Sequence, residues 1–422
     1  VIFSKFTVII FKVFSVSICI SKMKIFFMGI HPAHGTGYSR VANKITNYLA
    51  NLPNVEVVFF AFQNFKNQQV TDRYIDPRIK FYDACEIDPQ APLGFGDNAI
   101  VPSIIKEKPD ALFLYNDMMV TEAIMEKIPP EHMPPKKYLY LDIVYPWQNV
   151  EVYENLKRFN FEKIWVFLNY WKKHLIEDIG FDPNIVEVMP HGVDFERFVD
   201  VPMKEAKKEL GFKPSDFLVV NMNRNSSRKC WDITIKSFLE FLKRENMNKR
   251  IKLYCGGLLS HDDGYNIPQI ILSESKRIGL DPNVVLNEHT FYNHKPLHLT
   301  DDEVNMIYNA ADVGLNTCRG EGFGLTTTEH LYFNRPQIVS GVPALVETLG
   351  KHAYVVKPKV SLHTLSMEKE GGEHLICDYK DFAEHLQYCF KNPDKTIGGR
   401  EHVKQKYSWN DVLKTLDYFA TQ

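Results

Sequence analysis

The chain has 422 residues, more than one hydrophobic core ordinarily organises, so two domains of roughly 200 residues each are expected. Fifty Lys and Arg stand against 52 Asp and Glu, and the net charge of −2 excludes a whole-chain field that would draw nucleic acid or an anionic membrane. The seven cysteines are scattered, odd in number and without a CxxC pair, which argues against a disulfide framework or a zinc site and for reduced thiols in a cytoplasmic setting.

Residues 1–22 are apolar but carry Lys5, Lys12 and Lys22. A membrane-crossing helix needs about 20 mostly apolar residues, and Lys12 falls in the middle of this run. The stretch is read as an extension ahead of a natural start at Met23, with a signal anchor as the alternative, so membrane contact stays open. From Met23 strands and helices alternate. MKIFFMGI (23–30) is a short apolar run, with Gly29 near its end, typical of a buried parallel strand. HPAHGTG follows, then a helix from Ser39 to Leu52 with Val41, Ile45, Leu49 and Leu52 on one face. VEVVFFAF (55–62), ALFLYND (111–117), KYLYLDI (137–143) and KIWVFLN (163–169) continue the series. This is the βαβ rhythm of a doubly wound sheet.

Near residue 190 a polar linker, MPHGVDFERF, interrupts the pattern, and a second series begins. FLVVNMN (217–223), IKLYCGG (251–257), VVLNEHT (284–290), VGLNTC (313–318), PQIVSG (336–341) and AYVVKP (353–358) are its expected strands. A helix carrying Ile233, Phe238, Leu239 and Leu242 follows the first of them. KVSLHTLSMEKEGGEH (359–374) lacks periodicity and is expected to be a loop; SWNDVLKTLDYFATQ (408–422) is expected to be an amphipathic helix. The expected division is an extension (1–22), an N-terminal Rossmann-like acceptor-side domain (23–190), a C-terminal Rossmann-like donor-nucleotide domain (191–405) and a terminal helix (406–422) packing back on the first domain. Ligands of such sheets bind beyond the carboxyl ends of the strands, so the cleft between the lobes is the expected site.

Chemistry concentrates in RGEGFGLTTTEHLYFNRPQIVSG (319–341), where Glu321 and Glu329 stand eight positions apart. Gly322 and Gly324 flank Phe323 and let a ligand approach the backbone. A helix starting at Gly324 or Leu325 would offer the amides of Phe323, Gly324 and Leu325, with Thr326 beside them, to a phosphate. Glu329, a turn further in, could accept bonds from a ribose diol, while Glu321 on the loop is free to face a sugar. Asn334 suits a left-handed helix end, and Pro336 stops the helix. In NMNRNSSRKCWD (221–232), Arg224 and Lys229 precede a helix and could neutralise a diphosphate; a solvated basic turn is the plainer reading of that segment alone. Arg228, between them, has no assigned part. Gly35 and Gly37 follow the first strand, but Arg40 breaks the GxGxxG dinucleotide fingerprint. His31 and His34 read as loop histidines.

The string from Glu321 to Glu329 resembles the E-x7-E signature of the fourth sequence family of retaining glycosyltransferases, which have the two-lobed GT-B fold. R-x4-K at Arg224 and Lys229, the run 299–318, and Pro343, Ala344 and Glu347 resemble the same family. The resemblance implies an α/β GT-B fold with two Rossmann-like domains facing a central cleft. It implies transfer of a sugar from a nucleoside-diphosphate sugar to a glycan, lipid or protein hydroxyl, with retention and with no metal or other cofactor. It gives Glu321 to the donor sugar, Glu329 to the ribose, and the loop of Gly35 and Gly37 to the donor's N-terminal side. His191 stands where the family's linker has Asn, with Gly192 expected to serve the turn and Asp194 a local hydrogen bond. The family's acceptor-side histidine is missing from YLYLDIVYPWQN (138–149); Asp142 occupies or neighbours its place, and Tyr145 and Trp147 could stack on a sugar or pack at the lobe edge. A sugar-nucleotide epimerase and a non-catalytic sugar-nucleotide or glycan binder are the rival readings. No DxD triplet follows a strand.

Overall fold

The computed structural model describes residues 22–66, 73–292, 299–363, 371–393 and 397–421. The apolar stretch 1–22, expected as an extension or anchor, lies outside them, Lys22 excepted; among the described residues no helix is long and apolar enough to cross a membrane.

Seven parallel strands form the first sheet: β1 Met23–Ile30, β2 Val55–Phe62, β3 Lys80–Asp83, β4 Ala111–Asp117, β5 Lys136–Asp142, β6 Lys163–Val166 and β7 Val186–Val188, in the order β3-β2-β1-β4-β5-β6-β7. The second sheet is also parallel: β8 Phe217–Asn221, β9 Ile251–Cys255, β10 Thr290–Tyr292, β11 Val313–Asn316, β12 Gln337–Ser340 and β13 Tyr354–Val356, in the order β10-β9-β8-β11-β12-β13. Both orders reverse direction once, between β1 and β4 and between β8 and β11. At such a switch point the following loops part to opposite faces and leave a crevice. The buried apolar runs of β1, β2 and β4 are the physical basis of this sheet, since helices cover both its faces.

Two segments depart from expectation. Residues 284–290 were expected as a strand, yet Pro282–Val284 and Val285–His289 are helical and only Thr290–Tyr292 joins the sheet. The Asp281 carboxylate caps this helix by accepting from Asn283 N, a local signal that outweighs the β-branched pair Val284 and Val285. The stretch expected as a loop contains β14 Pro358–His363, antiparallel to β15 Glu373–Cys377. Its outward side chains are polar or exposed, so no core periodicity marks it in sequence. The short edge strand β3 also went unforeseen.

The lobes meet through the linker and the chain terminus. Val193 N donates to Tyr407 O at 2.6 Å, and Leu416 and Phe419 are buried, with the Phe419 ring 4.7 Å from Tyr138 and 5.9 Å from Trp165. Gly192 does not take a left-handed turn. A Cβ there would lie 2.8 Å from the Cα of Trp409, so close packing, not turn geometry, requires the glycine. Asp194 makes no local side-chain bond; it pairs with Lys44 of the first lobe at 2.6 Å. Gly192→Ala is expected to destabilise the protein by about 1–3 kcal/mol through overpacking, seen as a lowered urea midpoint. An unchanged midpoint would show that Trp409 can move aside.

Candidate active site

The loop after β8 and the loop after β11 lie side by side because these strands are neighbours in the second sheet. Thr234 Oγ1, in the helix that follows the β8 loop, is 2.6 Å from Thr317 Oγ1, and Arg319 N donates to Arg228 O at 3.0 Å, which fixes the loop after β11 against that loop and helix. Glu321 is thereby brought to Lys229, with which it forms a buried ion pair, and to Arg228, whose Nη1 lies 3.1 Å from Glu321 Oε1 and 2.9 Å from Gly320 O. Glu321 is therefore not free on its loop, as expected from sequence, but held between two cations. Burial alone would raise its pKa; Lys229 and Arg228 override that and hold it at about 2, so the carboxylate stays ionised. Burial pulls Lys229 down against the support of Glu321.

Arg224 is placed differently from its expected pairing with Lys229. It stands at the cleft rim, 62% exposed, with Asp263 as its nearest carboxylate at 4.0 Å. Arg228 takes the position beside Glu321 instead. Sequence spacing could not choose between these two arginines, because a single turn, Ser227–Lys229, decides which one points inward.

The helix Leu325–Leu331 begins after Gly324, whose φ of +94° places it in the left-handed region. The chain then closes through Asn334 at φ +57°. Phe323 is buried against His191 and Tyr407, each ring 5.2 Å away. His191 is buried, 2.8 Å from Tyr140 Oη, and burial lowers its pKa to about 3, so it stays neutral. Glu329 is buried in the helix and pairs with Arg40 of the first lobe. Thus the residue that breaks the dinucleotide fingerprint is the one that crosses the cleft.

From the first lobe, β5 ends on Asp142, whose Oδ2 accepts from Tyr38 Oη at 2.5 Å. Its Oδ1 is buried without a hydrogen-bond partner, and a side chain at Gly322 would run into it. Burial is the main cause that raises the Asp142 pKa to about 6; the Tyr38 bond and Arg228 pull it down, while Asp117 and Glu321 push it up. Gly37 is approached by Leu325, whose Cδ1 would lie 2.9 Å from an added Cβ. Tyr145 packs at the lobe edge, stacked on His374 at 4.0 Å, while Trp147 is 41% exposed. Glu347 accepts from Asn169 N and Tyr170 N at 2.9 Å, and Trp171 Nε1 donates to Gly322 O at 2.9 Å, which ties the lobes together beside the site.

These groups enclose a cleft of about 360 Å³ to which Gly35, Gly37, Tyr38, Arg40, Asp142, Arg224, Lys229, Glu321, Gly322, Phe323, Gly324, Leu325 and Thr326 all contribute. Gly256 and Gly257, at the carboxyl end of β9, also line it and were missed; a paired glycine directly after a strand was the available signal. Glu329 is not among the lining residues, being covered by Arg40. Among the described residues no group of three or more His, Cys, Asp or Glu is placed to hold a metal ion.

Two doubly wound lobes whose switch points face one another across a cleft constitute the GT-B fold. A sucrose-phosphate synthase from Thermosynechococcus elongatus superimposes with a TM-score of 0.69 at 14% identity, covering 95% of this chain and 99% of that one. An Anabaena protein, HepE, solved with UDP and glucose, gives 0.66 at 15% identity, covering 94% and 99%. No family model matches the chain. Its sequence relatives are glycosyltransferases: mannosylfructose-phosphate synthase of Agrobacterium fabrum is 26% identical over 189 residues, 44% of this chain and 39% of that protein. D-Inositol 3-phosphate glycosyltransferase of Nocardia farcinica is 25% identical over 178 residues, 42% and 36%. The chain thus spans less than two fifths of the length of these curated relatives.

Proposed function

We propose that the chain is a glycosyltransferase that moves a sugar from a nucleoside-diphosphate sugar to an acceptor hydroxyl, with retention of configuration and without a metal. The observation that carries this reading is the cluster of the buried Glu321 and Lys229 with the partly buried Arg228, facing Asp142 across the cleft. Lys229, Arg228 and the rim residue Arg224 serve the diphosphate, together with the amides from Phe323 to Leu325. As the glycosidic bond breaks, negative charge grows on the leaving phosphate oxygen, and preorganised cations in a water-poor site stabilise it at little reorganisation cost. Glu321 meets the donor sugar and Glu329 the ribose. Asp142, at the carboxyl end of β5 and lining the cleft, holds a hydroxyl on the acceptor side. The acceptor is a glycan, lipid or protein hydroxyl, and the setting is cytoplasmic. Closed lobes keep out water that would otherwise hydrolyse the donor.

Incubation with labelled UDP-, GDP- and ADP-sugars and a panel of acceptors, with and without EDTA, tests the reading. Transfer unaffected by EDTA, with an NMR spectrum showing the donor's anomeric configuration in the product, is the expected result. Isomerised donor with no transfer would establish an epimerase instead. Binding without turnover would establish a non-catalytic sugar-nucleotide protein.

A further inference from the structure

Arg40 and Glu329 are 289 positions apart, lie on facing lobes, and form an ion pair across the cleft. Glu329 is 3% exposed, and its second oxygen lies 3.4 Å from Tyr308 Oη. Burial pulls the Arg40 guanidinium toward neutrality, and Glu329 overrides that pull and keeps it charged. The seat is nonetheless imperfect. Arg40 Nε is buried without a hydrogen-bond partner. Arg73, turned inward onto the carbonyl of His34 at 2.9 Å, is repelled by Arg40. A buried, unsatisfied donor is costly, so a group that released Arg40 to solvent would relieve that cost.

We infer that Arg40 latches the cleft at its ribose end, and that a nucleoside diphosphate enters by exchange, its ribose hydroxyls replacing the guanidinium on Glu329. This rests on the proposed part of Glu329 as the ribose acceptor. Donor affinity is then reduced by the fraction of molecules in which the pair is open. Once Arg40 leaves, Leu325 still lies against Gly37, and Lys44 of the same first-lobe helix stays paired with Asp194 of the linker.

The test uses the full chain. UDP, GDP and ADP are titrated by calorimetry into wild type, Arg40→Ala, Arg40→Gln and Glu329→Gln, and amide hydrogen exchange is followed on the ligand-free proteins. Arg40→Ala is expected to bind the preferred nucleotide about ten-fold tighter, with Arg40→Gln in the same direction should the alanine variant fold poorly. In ligand-free Arg40→Ala, exchange should quicken over residues 37–51 and 325–331. Glu329→Gln should bind at least about ten-fold more weakly. If Glu329→Gln loses affinity while both Arg40 variants bind no better than wild type, the latch is refuted and the ribose assignment survives. If Glu329→Gln binds as wild type does, the ribose assignment is refuted and the exchange with it. If no form binds any nucleotide, unchanged exchange in Arg40→Ala refutes the latch by itself.

Discussion

Lys229→Ala is expected to lower the transfer rate by about 10²–10³-fold, chiefly in kcat, with little loss of stability. Lys229 is buried beside Glu321, and its charge can act on the leaving phosphate without competition from water. Its removal does not strand Glu321, because Arg228 still pairs with that carboxylate at 3.1 Å. The fold should therefore survive, and a melting curve close to wild type is the control. Glu321→Ala is a poorer probe, since it leaves the buried Lys229 beside the partly exposed Arg228 without the carboxylate they share; breaking a buried pair in this way costs about 3–5 kcal/mol. Glu321→Gln keeps the volume and hydrogen-bonding capacity and is the variant of choice. Arg224→Ala, at the solvated rim, should cost far less than Lys229→Ala. Turnover within three-fold of wild type in both Lys229→Ala and Glu321→Gln would rule out a diphosphate in this cluster.

Asp142→Asn is expected to reduce transfer by roughly ten- to hundred-fold, the worth of a hydrogen bond to a charged group, and to change the pH profile. With the Asp142 carboxyl titrating near 6, the wild-type rate should fall below that pH, and the asparagine variant should lack this acid limb. Stability moves in the opposite sense. The folded protein holds the Asp142 proton more tightly than the unfolded chain, whose ordinary value is 3.8. This group's stabilising contribution is full below pH 3.8 and is lost as pH rises through 6. At pH 7.5 the buried carboxylate therefore costs up to about 3 kcal/mol, and Asp142→Asn should raise the melting midpoint there. The gain should shrink toward pH 4. A variant equally stable at both pH values, with an unaltered rate profile, would remove Asp142 from the site.

The two doubly wound lobes were legible because parallel strands buried on both faces must be largely apolar, as over residues 25–30 of β1 and 57–62 of β2. The turn at Asn334 was legible because few residues tolerate its backbone angles and a proline follows. Glu321 and Glu329 could be singled out because glycines, a strand end and a helix start surround them within one short segment. Each of these signals is local: it rests on what a few consecutive residues can do with their own backbone and on which face they must bury.

Everything decided between distant residues required the tertiary structure. Nothing in the sequence pairs Arg40 with Glu329, Lys44 with Asp194, or Glu347 with the amides of Asn169 and Tyr170. The inward turn of Arg228 in place of Arg224, and the clash that makes Gly192 a glycine, likewise depend on which loops and helices meet. Hydrophobic pattern and propensity constrain each element along the chain. The pairing of charges across a cleft depends instead on the relative placement of two sheets, and that placement follows from packing summed over both lobes.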